Sequence, residues 1–331
     1  MNQKISKKLA IRVSTDSNYG KGHISRCLAI RSHIKCKTVW YIDLKDNEVT
    51  KMIPQYDEIV IEDGVFSCLK IKNAIKNNYL SMVLLDSYMI SNNEHLKIKK
   101  DIPLVVISDS LKKVNADLTI YPHPVSYNIS KNKNFLGGLK YSLISKNYKE
   151  GVKIKDYSKK EFNILVSMGS IDKARVTVTA IKSLNKILRN SSYKIKILIV
   201  LGKKSPLKVD VRSLTSSKKD YEILINPDDM RALYLKSSLA IGAPGQSHLE
   251  RMVFGLPTIL VSQNKLHKPI ISEWDRLGCG IQSDNKVSSL YKNIYFLLSN
   301  RAILKKMKIS SKMIVDGLGA ARVASTMSKM I

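Results

Sequence analysis

Short apolar runs of strand length recur along the chain, and most are followed by a segment whose apolar positions have helical spacing. This alternation is typical of βαβ units, in which a helix connects two parallel strands. In the first half of the chain, strands are predicted at Leu9–Ser14, Thr38–Ile42, Glu58–Ile61, Met82–Leu85, Leu104–Ile107 and Leu118–Tyr121. In the second half, strands are predicted at Phe162–Ser167, Ile195–Leu201, Glu222–Ile225, Leu239–Gly242 and Thr258–Val261.

Helical patterns fall between many of these strands. They predict helices at Gly22–His33, Cys68–Asn77, Asn93–Lys99, Val176–Leu188, Asp228–Lys236 and Gln246–Phe254. The tail Val287–Ile331 also has helical spacing, interrupted at Gly317–Gly319, and its last helix is expected to pack back on the domain junction.

The chain length favours two domains, because 331 residues exceed the roughly 250 residues at which single cores stop growing. Aromatic residues are sparse and Ile, Leu and Val are abundant, as in parallel sheets that are buried on both faces. Residues 126–160 are polar and rich in lysine, which predicts a boundary near residue 155. We therefore expect an α/β protein with two Rossmann-like domains, 1–155 and 156–331, whose parallel sheets face a cleft.

The formal net charge of +29 changes this picture only slightly. Most of the excess is lysine spread over the whole length, without an arginine-rich stripe or a known nucleic-acid-binding motif, so nucleic acid is not the expected partner. A positive field favours acidic small molecules such as nucleotide diphosphates. No apolar run approaches the roughly 20 residues that a membrane span needs, and neither a signal peptide nor membrane insertion is expected.

The cysteines and histidines argue against disulfides and against metal. Four cysteines without CxxC pairs suggest reduced thiols and a cytoplasmic location. The six histidines are scattered, with no HxxxH or DxD pair after a strand, so neither a metal nor another cofactor is expected. A monomer is the expected oligomeric state.

A glycine-rich turn lies between the first predicted strand and the first predicted helix. In an open α/β sheet this is where ligands bind, and Gly20 and Gly22 allow the backbone to approach a ligand closely. His23 stands at the start of the helix, where the positive end of the helix dipole favours the neutral imidazole. The sequence therefore predicts that His23 is a general base.

A second strand–glycine–helix segment occurs around Gly245, and a third glycine turn contains Gly169. The helix start at Gly245, Gln246 and Ser247 offers free backbone N–H groups to an anion. Glu250 lies one turn into that helix, where its carboxylate can accept both hydroxyls of a ribose. The turn at Gly169 is compatible with a diphosphate contact or with a purely structural role.

Taken together, these segments resemble the PseG/SpsG family of nucleotide-sugar hydrolases, whose fold is similar to the GT-B-like architecture of MurG. The resemblance runs through nearly the whole chain, from the glycine–histidine opening to the helix before a Gly-Leu-Pro turn. It rests on Arg12, Gly20, Gly22, His23, Arg26, Cys27, Asp86, Tyr88, Gly169, Asp172, Glu250, Gly255 and Pro257.

The resemblance implies a UDP-sugar as the small-molecule substrate and hydrolysis of UDP-2,4-diacetamido-2,4,6-trideoxy-β-L-altropyranose as the reaction. It implies that His23 activates water, that Glu250 binds ribose, that Gly245–Ser247 hold the diphosphate and that backbone near Ile225–Met230 holds uracil. It also implies partner enzymes of a nonulosonic-acid or surface-polysaccharide pathway. The residues expected to contact substrate are Arg12, Ser14, Gly20, Gly22, Asp86, Tyr88, Gly169, Ile225, Met230, Gly245, Gln246, Ser247, Glu250, Asn264 and Lys265.

This chain also departs from the family pattern. Ser14, Ser87 and Ser170 replace a family aspartate, histidine and glycine, and Lys265 follows Asn264 where the family has glutamine. Two alternatives therefore stand beside hydrolysis: a glycosyltransferase, in which an acceptor hydroxyl attacks the donor sugar, and a protein that binds a UDP-sugar without catalysis.

Overall fold

The computed structural model describes residues 8–15, 21–43, 47–61, 71, 73–75, 80–88, 90–124, 134–148, 161–190, 192–216, 218–263 and 268–330. The chain divides into two compact units. The first contains Met1–Lys146 and Gly317–Ile331, and the second contains Asn147–Asp316.

The first unit has a seven-stranded parallel sheet with helices between its strands. The strands are β1 (Lys8–Val13), β2 (Lys37–Ile42), β3 (Glu58–Ile61), β4 (Met82–Asp86), β5 (Leu104–Ile107), β6 (Leu118–Tyr121) and β7 (Phe135–Gly137). The helices of this part of the chain are α1 (Gly22–Arg31), α2 (Asn47–Met52) and α3 (Asn92–Lys99), with 3₁₀ turns at Leu139–Tyr141 and Lys146–Tyr148.

The strand order in this sheet is β3-β2-β1-β4-β5-β6-β7, and all pairs are parallel. The order reverses between β1 and β4, so the crevice at their carboxyl ends is the expected ligand site of such a sheet. Every residue of β4, β5 and β6 is buried, which explains why these strands read as continuous apolar runs rather than as alternating ones.

The second unit repeats this plan. Its strands are β8 (Glu161–Ser167), β9 (Lys194–Leu201), β10 (Tyr221–Ile225), β11 (Leu239–Gly242), β12 (Thr258–Val261) and β13 (Ile281–Ser283). Its helices are α4 (Val176–Asn190), α5 (Lys208–Thr215), α6 (Met230–Lys236), α7 (Gln246–Val253), α8 (Lys268–Arg276), α9 (Val287–Ser299) and α10 (Arg301–Ile314). The last helix of the chain, α11 (Gly319–Ser328), belongs to the first unit.

The strand order of the second sheet is β10-β9-β8-β11-β12-β13, so its order reverses between β8 and β11. The core side chains of β8, β9 and β11 pack against the long amphipathic helix α4 and against α9. The carboxyl ends of β8 and β11 are followed by the two glycine turns of this unit, at Gly169 and Gly245.

The predicted strands are confirmed, with ends that differ by one residue at most. The three-residue strands β7 and β13 were not predicted, because three residues carry too little periodicity. The helix predicted at Cys68–Asn77 lies largely outside the described residues.

The division of the chain differs from the predicted boundary near residue 155. The units change between Lys146 and Asn147, and residues 149–160 lie outside the described part of the chain. Helix α11 was assigned to the second domain from its position in the sequence. It packs instead on α1 and on the 3₁₀ turn Leu139–Tyr141, where a side chain on Gly319 would collide with the backbone of Ser142.

Candidate functional site

His23 and Asp86 form a buried pair at the point where the strand order of the first sheet reverses. Asp86 is the last residue of β4, and His23 is the second residue of α1, which follows β1. The distance from His23 Nδ1 to Asp86 Oδ1 is 2.6 Å, and the two residues are 6% and 1% exposed. The sequence had placed both residues in the site, but Asp86 was expected to contact substrate.

The contacts of His23 Nδ1 indicate which ring nitrogen carries the proton. Nδ1 lies 2.6 Å from the Asp86 carboxylate and 3.1 Å from Arg26 Nη2, which is a donor. Because a bond to a carboxylate is charge-assisted and shorter than an ordinary one, we assign Nδ1–H as the donor to Asp86. In that tautomer Nε2 carries the lone pair that can accept a proton.

Arg26 bridges two carboxylates. Its Nε and Nη2 donate to Asp86, the latter at 2.6 Å, and its Nη1 and Nη2 donate to Asp109 at 2.6 and 3.1 Å. The guanidinium is almost completely buried. Arg26 therefore supplies the positive charge that allows two acidic side chains to be ionised inside the protein.

The pKa values of this cluster follow from that bridge. Burial opposes ionisation of Asp86, but the adjacent Arg26 and His23 outweigh it, so the pKa of Asp86 lies below its usual value. The pKa of Asp109 is well below its usual value, because Arg26 and His123 outweigh the effect of burial. Burial and the charge of Asp86 raise the pKa of the Cys27 thiol, so Cys27 is not a thiolate nucleophile.

Tyr88 and His123 complete the cluster on the side of Asp109. The Tyr88 hydroxyl donates to Asp109 Oδ2, and His123 Nε2 lies 2.7 Å from Asp109 Oδ1. The Tyr88 ring meets the His23 ring edge-on, with 4.9 Å between centroids. Tyr88 was expected at the site and lies there, half exposed.

Arg12 and Ser14 have internal partners that differ from the expected contacts with substrate. Arg12 is fully buried, donates to the carbonyls of Val13 and Tyr41, and pairs with Asp43, so it fixes the ends of β1 and β2. Ser14 is also buried, and its hydroxyl lies 2.8 Å from that of Ser87. Of the two glycines, Gly22 begins α1, and Gly20 lies outside the described residues.

In the second unit, α7 begins directly after Gly245. A Cβ on Gly245 would meet no atom of the described residues within 4 Å, so protein packing does not demand glycine here. Gln246 and Ser247 form the first turn of α7, in which the His248 N–H donates to the Gly245 carbonyl at 2.8 Å. The positive end of the helix dipole lies at this turn, and its role as an anion site stays a prediction.

Glu250 lies one turn further along α7 and is partly exposed. Burial raises the pKa of its carboxyl to about 7, although the Tyr234 hydroxyl, 3.0 Å from Oε2, and the charge of Arg251 act in the opposite direction. The effect of burial on the pKa of Glu250 is therefore larger than the opposite effect of these two neighbours. A carboxylate in this position gains from further hydrogen-bond donors, such as ligand hydroxyls.

Three buried polar side chains lack complete hydrogen-bond partners among the described residues: Arg251 and His248 on α7, and Trp274 on α8. Arg251 donates Nη2 to the Ala243 carbonyl at 2.8 Å, but its Nη1 has no partner there. Neither do the two ring nitrogens of His248 or Nε1 of Trp274, whose rings meet edge-on at 4.9 Å. The Arg251 guanidinium also explains why residue 242 is glycine, because a Cβ at that position would lie 2.7 Å from the guanidinium.

The other predicted contacts of the second unit are more scattered. Gly169 has a φ of +84° in the turn after β8, a conformation that favours glycine. Ile225 ends the edge strand β10, two strands from β8 and so about 10 Å away, and Met230 begins α6. Asn264 and Lys265 lie outside the described residues.

Asp109 and His123 were missed by the sequence interpretation, although a simple signal marks both. Asp109 comes two residues after β5, and His123 comes two residues after β6. Charged or titratable residues directly after neighbouring parallel strands converge on one edge of the sheet. Arg26 was part of the quoted motif, but its partners could not be read from spacing.

The described residues contain no group of three or more His, Cys, Asp or Glu side chains suited to hold a metal ion. Within the same residues, no helix combines the length and hydropathy needed to cross a membrane.

Comparisons with known proteins identify a matching domain and two relatives. Residues 163–313 match the glycosyltransferase family 28 C-terminal domain. An uncharacterized protein of Methanocaldococcus jannaschii is 23% identical over 81% of this chain, and the spore coat polysaccharide biosynthesis protein SpsG of Bacillus subtilis is 22% identical over 51% of it. The matches span 58% and 50% of these relatives, so the chain spans about half the length of the relatives it matches.

Solved structures show the fold. MurG of Acinetobacter baumannii matches with a TM-score of 0.70 at 15% identity, covering 98% of this chain and 99% of MurG. A co-structure of S. aureus MnaA with UDP matches with a TM-score of 0.66 at 14% identity, covering 98% of both chains. The predicted GT-B-like fold with two parallel-sheet α/β units is therefore confirmed.

Proposed function

We propose that this protein hydrolyses a UDP-sugar to UDP and the free sugar, with His23 as the base that activates water. The observation that carries the proposal is the buried Asp86–His23 pair, 2.6 Å apart, at the carboxyl ends of two central strands. Asp86 fixes Nδ1–H, and in that tautomer Nε2 is the nitrogen whose lone pair can take a proton from water. The proposed substrate class is that of the family resemblance, a UDP-linked diacetamido-trideoxy sugar.

The second unit is proposed to bind the nucleotide. The start of α7 at Gly245 would receive the diphosphate, because N–H groups and the helix dipole favour negative charge there. Glu250 would accept the ribose hydroxyls. The match of this unit to the glycosyltransferase family 28 C-terminal domain and the likeness to the UDP-bound MnaA structure support this assignment.

In the proposed reaction, a water oxygen bonds to the anomeric carbon while the bond from that carbon to the diphosphate oxygen breaks. The water proton goes to His23, and Asp86 stabilises the imidazolium that forms. UDP leaves with the bonding electron pair as an anion, so its departure needs no proton donor. The free sugar, the UDP anion and the proton held by His23 together account for all the atoms of donor and water, and His23 then releases that proton to solvent.

The test is an acceptor-free assay of UDP release from UDP-2,4-diacetamido-2,4,6-trideoxy-β-L-altropyranose and from UDP-N-acetylglucosamine. His23→Gln is expected to lower kcat by about 10²- to 10⁴-fold, the usual contribution of a positioned base, and to leave UDP affinity unchanged. His33→Gln is the matched control, because His33 lies just after the same helix and is exposed. Undiminished UDP release by a folded His23→Gln variant would refute the proposed base.

A glycosyltransferase is the second candidate, and the family 28 domain match favours it specifically. In that case UDP release would require an added acceptor, and the wild-type protein would leave the donor intact in the acceptor-free assay. UDP binding without release, with or without acceptors, would instead indicate a binding protein.

A further inference from the structure

We propose that Asp109 is a positioning residue of this site, which holds Arg26 and Tyr88 in fixed places around the Asp86–His23 pair. The inference rests on the proposed hydrolysis and adds to it a residue that need not touch substrate. One carboxylate makes all of the relevant contacts. Oδ1 faces Arg26 Nη1 at 2.6 Å and His123 Nε2 at 2.7 Å, while Oδ2 accepts from Arg26 Nη2 at 3.1 Å and from the Tyr88 hydroxyl.

The first action of Asp109 is to fix the plane of the Arg26 guanidinium. Arg26 uses Nε and Nη2 toward Asp86, and Nη1 and Nη2 toward Asp109, so carboxylates hold the planar group on two edges. Nη2 also lies 3.1 Å from His23 Nδ1, the nitrogen that pairs with Asp86. Rotation of the guanidinium would therefore disturb the bond that orients the proposed base.

The second action is to orient Tyr88. This residue is 49% exposed, so protein packing covers only part of its ring. Its hydroxyl bond to Asp109 and its edge-on contact with His23 hold the ring at two points. The same carboxylate thus holds two neighbours of one imidazole, the guanidinium beside Nδ1 and the aromatic ring against it.

His123 anchors Asp109 from the next strand. Asp109 follows β5 and His123 follows β6, two neighbouring strands of the sheet, and the His123 ring is itself held edge-on by Tyr121 at 5.2 Å. Asp109 therefore joins the ends of β5 and β6 to α1. A carboxylate that is fixed in this way holds Arg26 in place relative to the sheet.

The experiment compares Asp109→Asn with Asp117→Asn in the full chain. Asp117 is a matched control, because its carboxylate also joins β5 to β6, accepting from the Leu104 N–H at 2.9 Å, but contacts none of the cluster residues named above. Asp109→Asn is expected to lower kcat about 10- to 100-fold through misplacement of the base, with KM and UDP affinity unchanged. Asp117→Asn should retain the wild-type kcat. Circular dichroism verifies that both variants are folded.

A second readout is independent of turnover. Nitrogen-15 spectra of the histidine side chains report the tautomer of His23, which should carry its proton on Nδ1 in the wild-type protein. The His23 signals should move in Asp109→Asn and stay in place in Asp117→Asn. If the wild-type protein hydrolyses no donor, the proposed function fails, and these spectra still decide the role of Asp109.

Three outcomes would overturn the inference. Unchanged His23 signals in folded Asp109→Asn would mean that Asp109 does not position the base, whatever the rate. A loss of kcat together with an equal loss of UDP affinity would indicate a general structural role. Wild-type kcat in Asp109→Asn would show that the bridge through Arg26 has no consequence for catalysis.

Discussion

The same residue pair, a histidine followed three positions later by an arginine, lies in a helix of each unit but meets opposite surroundings. His23 and Arg26 are the second and fifth residues of α1, and His248 and Arg251 are the third and sixth residues of α7. All four residues are buried. Arg26 faces two carboxylates, whereas Arg251 faces a carbonyl and a hydroxyl.

The electrostatic outcome differs accordingly. Burial lowers the pKa of both arginines, but Asp109 and Asp86 overcome it at Arg26, whose pKa is raised, while the pKa of Arg251 stays lowered. The carboxylates show the same contrast, because the pKa of Asp86 is lowered and that of Glu250 is raised to about 7. Similar local sequence therefore does not set the charge state of a site; the strands opposite the helix do.

This difference suits the two proposed roles. A base must stand in one orientation before substrate arrives, and the first unit achieves this with a fully paired cluster. A nucleotide site must present donors and acceptors to a ligand, and α7 presents the positive end of its dipole and a carboxyl whose pKa is raised by burial.

Arg26→Met should have the largest effect. It removes the cation between the buried carboxylate of Asp86 and the partly buried carboxylate of Asp109, and the loss of one partner from a buried ionic group typically costs about 3–5 kcal/mol. Urea unfolding at pH 7 measures the change. The destabilisation should shrink at pH 4, where protonation can relieve the unpaired carboxylates. An equal loss at both pH values would show that packing, and not charge, dominates.

Glu250→Gln should have an intermediate and pH-dependent effect. Because folding raises the pKa of Glu250 to about 7 from an ordinary value of 4.5, its contribution favours the folded state below pH 4.5 and is lost as the pH rises through 7. At pH 8 the variant should therefore gain stability relative to wild type, by at most about 3 kcal/mol, less where solvent reaches the carboxyl. Thermal unfolding from pH 5 to 8 measures the gain.

The control for Glu250 is Glu222→Gln. Glu222 is exposed and pairs with Lys236 at 3.2 Å, so its substitution should change stability little, and similarly at each pH. A difference between Glu250→Gln and wild type that stays constant from pH 5 to 8 would contradict a raised pKa for Glu250. It would place the carboxyl in a solvated environment instead.

The fold and the residue at the centre of the site could be predicted from sequence, because both depend on local pattern. Buried parallel strands give continuous apolar runs, and a glycine turn before a helix marks the crevice in which His23 lies. The partner of His23 was named without its role, because only the strand order places β4 beside β1.

The rest depends on contacts distant in sequence. Arg26 and Asp109 are 83 positions apart, and their bond exists because β4 lies beside β1 and β5 lies beside β4 in the sheet. Arg12, a motif arginine expected to contact substrate, donates to the carbonyls of Val13 and Tyr41 at the ends of two strands. Both arginines are buried, and the partners that distinguish them cannot be read from residue type.

Arg251→Met should have the smallest effect and gives the sharpest contrast with Arg26→Met. The substitution keeps the volume beside Gly242, removes a buried charge and sacrifices the bond to the Ala243 carbonyl, so stability should change by about 1 kcal/mol or less. Arg251→Ala, which leaves a cavity, should cost clearly more, about 2–5 kcal/mol. A loss of 3 kcal/mol or more in Arg251→Met, measured by urea unfolding, would mean that Arg251 has an ionic partner and that the two helices are electrostatically alike.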